Sequence, residues 1–274
     1  MTNKSTAARA AALGALTALF TGLPLDDASA ANTRLTLEAP YAAEAPQVDG
    51  NPTDKAWEKA AWRPMDKLML GDMPAPEDFS GRYKVVWTRD HLYLLAEITD
   101  DVLLDTHPDP LESYWEDDTL EIFIDEDNSD GDHQFNYNAF AYHVALDNQA
   151  VDTGPFRTPE DEAEGIQSVR VFPDHILSRW QRGHGDNNAV FWEVRITVYG
   201  DNFKDSYATG ETPARPVTLS AGKELGFMVA YCDSDVPGGG REHFVGDMEI
   251  EPVDGDRNRG WIDAGVFGTL VLKP

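Results

Sequence analysis

From residue 82 onward, apolar and polar positions alternate with a period of two over most of the chain. Side chains on a strand point to opposite faces in turn, and a two-residue break suits a tight reversal. RYKVVWT (82–88) and HLYLLAEI (91–98), split by Arg89-Asp90, therefore read as a hairpin. TLEIFID (119–125) reads as a strand, and QFNYNAFAYHVAL (134–146) as a long one carrying Phe135, Tyr137, Phe140 and Tyr142. SVRVF (168–172), HILSRW (175–180), VFWEVRITV (190–198), ELGFMVAYC (224–232) and FGTLVLK (267–273) follow. Many short strands with turn residues between them predict an all-β chain folded as a β-sandwich, not a βαβ protein.

Helix signals are few. In VDGNPTDKAWEKAAW, Asn51 or Thr53 can cap a short helix, and Pro52 suits its first turn. Ala56, Trp57 and Ala60 would share the face that docks on the body. Segments 153–165 and 200–222 carry Pro, Gly and charge and read as surface loops. DVPGGGREH (235–243) reads as a flexible turn from which Arg241 and His243 could reach a binding face. No repeat and no linker divides the chain after residue 47, so 48–274 is expected to form one domain, with 31–47 as a linker or lead-in strand.

The amino terminus follows a different logic. Lys4 and Arg9 precede an apolar stretch at 11–25, and Ala28-Ser29-Ala30 has the small residues of a cleavage site. Residues 1–30 are expected to be a signal peptide that exports the protein to the periplasm or the medium. The stretch is short for a bilayer span, and no other segment qualifies, so no membrane insertion is expected.

The net charge of −27 repels nucleic acid and anionic lipid and leaves cations and neutral ligands as partners. Adaptation to a salty habitat accounts for such a surface equally well, because salt screens its self-repulsion. The single cysteine, Cys232, excludes a disulfide framework and sits in the apolar run LGFMVAYC, where a buried, inert thiol is expected.

The stretch SYWEDDTLEIFIDEDNSDGDHQF (113–135) concentrates the chemistry: nine Asp and Glu residues frame one tryptophan and one strand. By parity, Leu120, Ile122 and Ile124 belong in the core, while Trp115, Asp117, Thr119, Glu121 and Phe123 share the other face. A tryptophan, a carboxylate and an aromatic ring together suit a recognition surface better than a core. After the strand, Asp125, Asp127, Asp130 and Asp132 stand in DEDNSDGD, where Gly131 allows a tight turn. Alternating oxygen donors in such a loop suit Ca²⁺, and a merely solvated acidic loop is the alternative. The loop lacks EF-hand spacing, and the seven His lack zinc spacing.

VDGNPTDKAW, KVVWTRDHLYLLAEITDD, YWEDDTLEIFIDED and NRGWIDAGVFGTLVL together resemble the family 9 carbohydrate-binding modules over roughly residues 45–274. The resemblance implies a jelly-roll-like sandwich, bound structural calcium, and a mono-, oligo- or polysaccharide partner held between two tryptophans. Trp115 and Trp261 match the sandwiching pair. Glu121 and Asn258 match groups that hydrogen-bond sugar hydroxyls. Asp101 in ITDD and Asp118 in WEDD become a second candidate metal pair. Two positions depart from the family's glucose-binding members: Asn136 stands where they carry arginine, and Ala230 where they carry glutamine. The clamp physics stands apart from the resemblance. Indole faces cover the C–H face of a pyranose, and polar groups such as Glu121, Asn258 and Asn136 or Asn138 must satisfy its hydroxyl rim.

The expected protein is thus a non-catalytic, exported carbohydrate-binding protein of undetermined oligomeric state. A haem-binding sandwich using Met228, His143 or His243, a glycan-active hydrolase, and an acidic calcium-buffering protein are the competing readings. Paired carboxylates, the glycosidase requirement, occur too often in this chain to discriminate. No G-x-S-x-G and no phosphate-binding loop is present.

Overall fold

The computed structural model describes residues 34–183, 189–204 and 215–274. The expected signal peptide (1–30) and the start of the lead-in segment lie outside the described residues, as does part of the loop expected at 200–222.

Two sheets face each other. The larger has nine strands: β1 (Thr36–Pro40), β3 (Lys67–Leu70), β6 (Thr119–Asp125), β7 (Phe140–Ala145), β8 (Ala150–Gly154), β9 (Ser168–Val171), β12 (Glu224–Asp233), β13 (His243–Gly246) and β14 (Gly268–Lys273). Its path runs β1-β14-β12-β6-β7-β8-β9, with β13 bridging β12 to β3. The smaller sheet has five strands in the order β10-β11-β5-β4-β2, formed by Ile176–Arg182, Ala189–Ile196, Leu92–Asp100, Phe79–Trp87 and Arg63–Met65. The pairings are antiparallel except that of β1 with β14, which is parallel. This is a β-sandwich.

Alternation decides which side chains fill the middle. Leu120, Ile122 and Ile124 of β6 pack with Leu92, Leu94, Ala96 and Ile98 of β5 and Val190, Trp192, Val194 and Ile196 of β11 in the core between the sheets. The outer faces are covered as well. On the small sheet, Val86, Tyr93 and Leu95 meet Trp57. Trp57 sits in the expected short helix, a 3₁₀ turn (Lys55–Lys59), but the residue before it is Asp54, not Asn51 or Thr53, and makes no side-chain cap. The turn is held by tertiary contacts instead: the Trp57 indole donates to Glu193 Oε1 at 3.0 Å, and Glu193 Oε2 accepts from the amides of Asp49 and Gly50.

On the large sheet, Phe123, Met228, Ala230, Cys232, Phe244 and Phe267 form a second apolar layer. Strand β6 is therefore buried on both faces. The parity expected from sequence is right, but the Trp115/Glu121 side is not an open surface.

Four further departures from the sequence pattern matter. The long strand expected at 134–146 begins only at Phe140. Residues 133–138 turn instead, because Asn136 Oδ1 takes the amide of Asn138 at 2.8 Å and its Nδ2 donates to the Asp132 carbonyl. The loop expected at 153–165 contains the end of β8 and a short helix, α1 (Pro159–Glu164), capped by Thr158. β2 and β3 are three- and four-residue strands too short for periodicity to reveal. β13 follows directly on the Gly-rich turn at 235–242.

At one end of the core, His175 stacks on Tyr199 with ring centroids 4.1 Å apart, packs against Phe140, Phe172 and Phe203, and meets the Tyr142 hydroxyl through Nδ1 at 2.6 Å. Burial pushes its pKa down to about 3. A group kept neutral in the fold but titrating near 6.5 when unfolded leaves stability untouched above that pH and erodes it below. Relative to His175→Phe, wild-type protein should lose about 2 kcal/mol of stability between pH 6.5 and pH 5, at roughly 1.4 kcal/mol per pH unit. Urea titrations of both proteins at the two pH values measure this. A stability difference that does not change with pH would mean that His175 titrates normally.

Candidate functional site

The edge of the second apolar layer opens into a cleft of about 190 Å³ lined by Tyr114, Trp115, Glu121, His143, Asp152, Thr153, Gln167, Arg241, Asn258 and Trp261. Trp115, Glu121, Asn258 and Trp261, four of the six sugar-contact candidates named from sequence, thus reach one place. The two tryptophans arrive from opposite ends of the domain sequence.

Trp115 lies on the approach to β6 and is 37% exposed. Its indole donates to Glu116 Oε1 at 2.7 Å, and the Tyr114 ring meets it edge-on with centroids 4.9 Å apart. Tyr114 also meets His143 edge-on at 4.7 Å, and burial pushes its hydroxyl pKa up. Trp261 is half-buried against the second apolar layer. Its turn is held by His133, whose amide donates to the Ile262 carbonyl at 2.8 Å and whose ring Nε2 meets the Gly260 carbonyl at 2.8 Å. Gly260 permits the close approach: a Cβ there would come within 2.5 Å of Met228 Cε and 2.9 Å of the Phe123 ring.

Glu121 forms the cleft floor. It is fully buried, and its Oε1 meets His143 Nε2 at 2.9 Å and Cys232 Sγ at 2.9 Å, with Arg241 Nη1 at 3.6 Å. Burial alone would raise its pKa, but His143 and then Arg241 outweigh it and hold the carboxyl below its ordinary value. The Cys232 thiol is buried and pushed well up, as an inert thiol should be. Asp152, also buried, accepts the amides of Ala141 and Thr153 and is pushed up to about 7 by burial. Asp152 and Thr153 escaped sequence reasoning, and His143 entered it only as a haem-ligand candidate. The short polar AVDTG strand looked like loop, and only the sheet pairing sets β7 and β8 beside Glu121.

Asn136 is not in the cleft. Its amide is spent on the turn before β7, the physical reason why the residue expected to contact sugar does not reach it. Asn138 is likewise committed, donating to the Asp130 carbonyl.

The acids after β6 form a loop closed in part by its own backbone amides. Asp125 accepts the amide of Asp130, and Asp127 accepts that of Ser129, so both close their own turn. Asp130 pairs with Arg34, which also donates to Asn128 Oδ1 and to the Ala264 carbonyl. Asp132 pairs with Asp263 through the backbone, and its Oδ1 accepts the amide of Gln134 at 3.3 Å. Among the described residues, Asp125, Asp127, Asp130 and Asp132 do not converge as a ligand cluster. The Arg34 guanidinium thus ties the Asp130 end of this loop to Ala264, while the buried Asp125 Oδ1 has no hydrogen-bond partner.

Convergence occurs elsewhere. Asp100, Asp118 and Asp233, all buried, each offer an oxygen within 4.8 Å of the others. A second group, Asp78, Asp101 and Asp235, lies more exposed, and Asp78 and Asp233 meet His243. The expected Asp101–Asp118 pair is therefore split. Successive residues at the end of β5 point to opposite sides, so Asp100, not Asp101, joins Asp118.

The buried trio fits a divalent cation. Burial, with a smaller push from Asp235, raises Asp100 to about 6; burial and then repulsion, from Asp100 first, raise Asp118 to about 9 and Asp233 to about 8. Asp233 Oδ1 has no hydrogen-bond partner. Hard oxygen donors at strand ends are the ligand type Ca²⁺ takes.

The haem candidates do not assemble around the cleft: His143 lines it, but Met228 and His243 do not. Met228 is buried beneath Gly260, and His243 faces Asp78 at 3.7 Å.

A two-sheet sandwich with a small cleft, aromatic on two sides and polar at its floor, is the form of a ligand-binding module. A family profile described as "Carbohydrate family 9 binding domain-like" matches residues 48–274, and the chain belongs to that family. A carbohydrate binding module family 9 protein from Caldicellulosiruptor kristjanssonii in complex with cellotriose has a similar fold. Its TM-score is 0.58 at 16% identity, covering 87% of this chain and 94% of that one. The complex of a family 9 module from the same organism with glucose gives 0.58 at 17% identity, covering 87% and 96%. Endo-1,4-beta-xylanase A of Thermotoga maritima and of Thermotoga neapolitana are 31% and 32% identical over 99 residues, 34% of this chain. The match spans only 9% of the length of either xylanase.

Proposed function

We propose that this carbohydrate-binding domain is non-catalytic and holds one sugar ring, or the end of a glycan, between Trp115 and Trp261. The observation that carries the reading is the meeting of both indoles with Glu121 and Asn258 in a single cleft. At about 190 Å³ the cleft falls below the roughly 300–1,000 Å³ of pockets for larger ligands, which suits one ring. Indole faces cover the apolar face of that ring at low entropic cost. Glu121 accepts from its hydroxyls and Asn258 both donates and accepts, which limits the cost of burying them unpaired.

Asp100, Asp118 and Asp233 would hold Ca²⁺, which supplies the positive charge that three adjacent buried carboxylates lack. Asp118 accepts the amides of Leu104 and Ser234. It thereby ties the segment before β6, which carries Trp115, to the loop after β12. Fixing both before the ligand arrives lowers the ordering cost of binding. Export by the expected leader would place the domain in the periplasm or medium, where polysaccharide is met.

The test is a glycan array with purified protein, with and without chelator, beside a reducing-sugar assay on the glycans bound. Binding to neutral glycans without sugar release is expected. Failure to bind any glycan in the presence of calcium would remove the reading, and sugar release would replace it with a hydrolase.

A further inference from the structure

The cleft contains a cation that the tryptophan clamp does not explain. Arg241 enters from the Gly-rich loop between β12 and β13, and only 9% of its side chain is exposed. The guanidinium lies over the Phe244 ring at 4.6 Å. Among the described residues its one hydrogen bond is from Nη1 to Cys232 Sγ at 3.2 Å, and sulfur is a weak acceptor. Glu121 Oε1, at 3.6 Å, stands beyond hydrogen-bond reach and already serves His143 and Cys232. A guanidinium carries five N–H donors, and no Arg241 nitrogen is among the buried unpartnered polar atoms, so the unspent donors stay accessible to a ligand. In a protein of net charge −27, this one faces an enclosed cleft with most of its donors unspent.

The loop that delivers Arg241 is fastened from below. Glu116 Oε1 accepts the Trp115 indole N–H at 2.7 Å, while its Oε2 accepts the backbone amide of Arg241 at 3.0 Å. One carboxylate thus sets both a wall of the cleft and its cation. Gly240 leaves room for the clasp: its φ is +77°, and a Cβ there would overlap Glu116 Oε2. Ser234 Oγ closes the base of the same loop on the Gly240 carbonyl.

We propose that Arg241 is a ligand-contacting residue whose free N–H groups bind oxygens of the sugar beside Glu121, and that Glu116 is the positioning residue that holds Arg241 and Trp115 in register. This rests on the reading of the cleft as a sugar site and adds to it the source of the donors. Guanidinium and carboxylate side by side grip neighbouring hydroxyls, donating to one and accepting from the other. A uronate is disfavoured, because Glu121 and Asp152 line the same cleft and Glu116 stands behind it.

Isothermal titration with D-glucose, D-galactose, D-mannose, D-xylose, cellotriose and D-glucuronate tests the assignment. Arg241→Gln should weaken the best-bound neutral sugar by about 10- to 100-fold, the range for hydrogen bonds to a charged group. Arg241→Lys should restore only part of that, since an ammonium keeps the charge but not the planar fork. Glu116→Ala should weaken binding about tenfold in wild-type protein but by a smaller factor in Arg241→Gln, where only the hold on Trp115 is left to lose, because residues acting through one another are not additive.

Loss of binding in Trp115→Ala and Trp261→Ala, with both Arg241 variants within twofold of wild type, would refute the Arg241 assignment and leave the clamp standing. Unchanged binding in all four variants, or no binding of any sugar by the wild type, would remove the clamp itself. Additive losses for Glu116→Ala and Arg241→Gln would overturn the positioning of Arg241 by Glu116. D-glucuronate binding tighter than every neutral sugar would overturn the preference for a neutral ring.

Discussion

Replacing either tryptophan with alanine should weaken sugar binding by at least about 30-fold, the roughly 2 kcal/mol typical of a large aromatic residue at the centre of a binding site. The two variants should differ in stability. Trp115 is 37% exposed and makes its one hydrogen bond to neighbouring Glu116, so Trp115→Ala should cost the fold no more than about 1 kcal/mol. Trp261 packs on the second apolar layer, so its truncation should also lower the melting temperature by several degrees. Trp115→Ala is therefore the cleaner experiment: calorimetry should show lost affinity with an unchanged thermal transition. An intact affinity in Trp115→Ala would show that the ring does not form a wall of the site.

Calcium should raise the melting temperature, and chelator should reverse it. At a free concentration about 100 times the dissociation constant, one site binding only the folded state contributes about 2.7 kcal/mol, which for a domain of this size corresponds to roughly 5–10 °C. The gain should be large here because, without a cation, Asp100, Asp118 and Asp233 crowd one another in a buried place. Asp233→Asn should abolish the response to calcium while costing little in chelator, since Asp233 Oδ1 has no partner to lose. Differential scanning calorimetry from micromolar to millimolar calcium measures both effects. A melting temperature indifferent to calcium over that range would mean that the trio holds no such ion. An undiminished response in Asp233→Asn would place the ion elsewhere, the Asp78, Asp101 and Asp235 group being the first alternative.

The sandwich and its core were legible because burial on a strand repeats every second residue. That rule placed Leu120, Ile122 and Ile124 in the core and Glu121 on the opposite face. It was silent on what covers that opposite face, because the cover comes from β13, from the turn after residue 257 and from Phe267, all distant in sequence. Short polar strands such as β8 carry too little alternation to be seen, so Asp152 and Thr153 went unnoticed. The acidic loop shows the same limit: Arg34, 96 residues earlier, pairs with Asp130, and no local pattern announces that partner.

Pattern along the chain sets the class of fold, the apolar face of each long strand, the family resemblance, and the residue types able to stack on and hydrogen-bond a sugar. These follow from local periodicity and from motifs read along the chain. Tertiary structure alone decided that Trp115 and Trp261 share a cleft, that Asn136 is outside it, that Arg241 and His143 are inside, and that Asp100 instead of Asp101 joins Asp118. Each of those outcomes depends on which strand ends and loops meet at one edge of a sheet, and contacts between residues a hundred positions apart leave no local pattern in the chain.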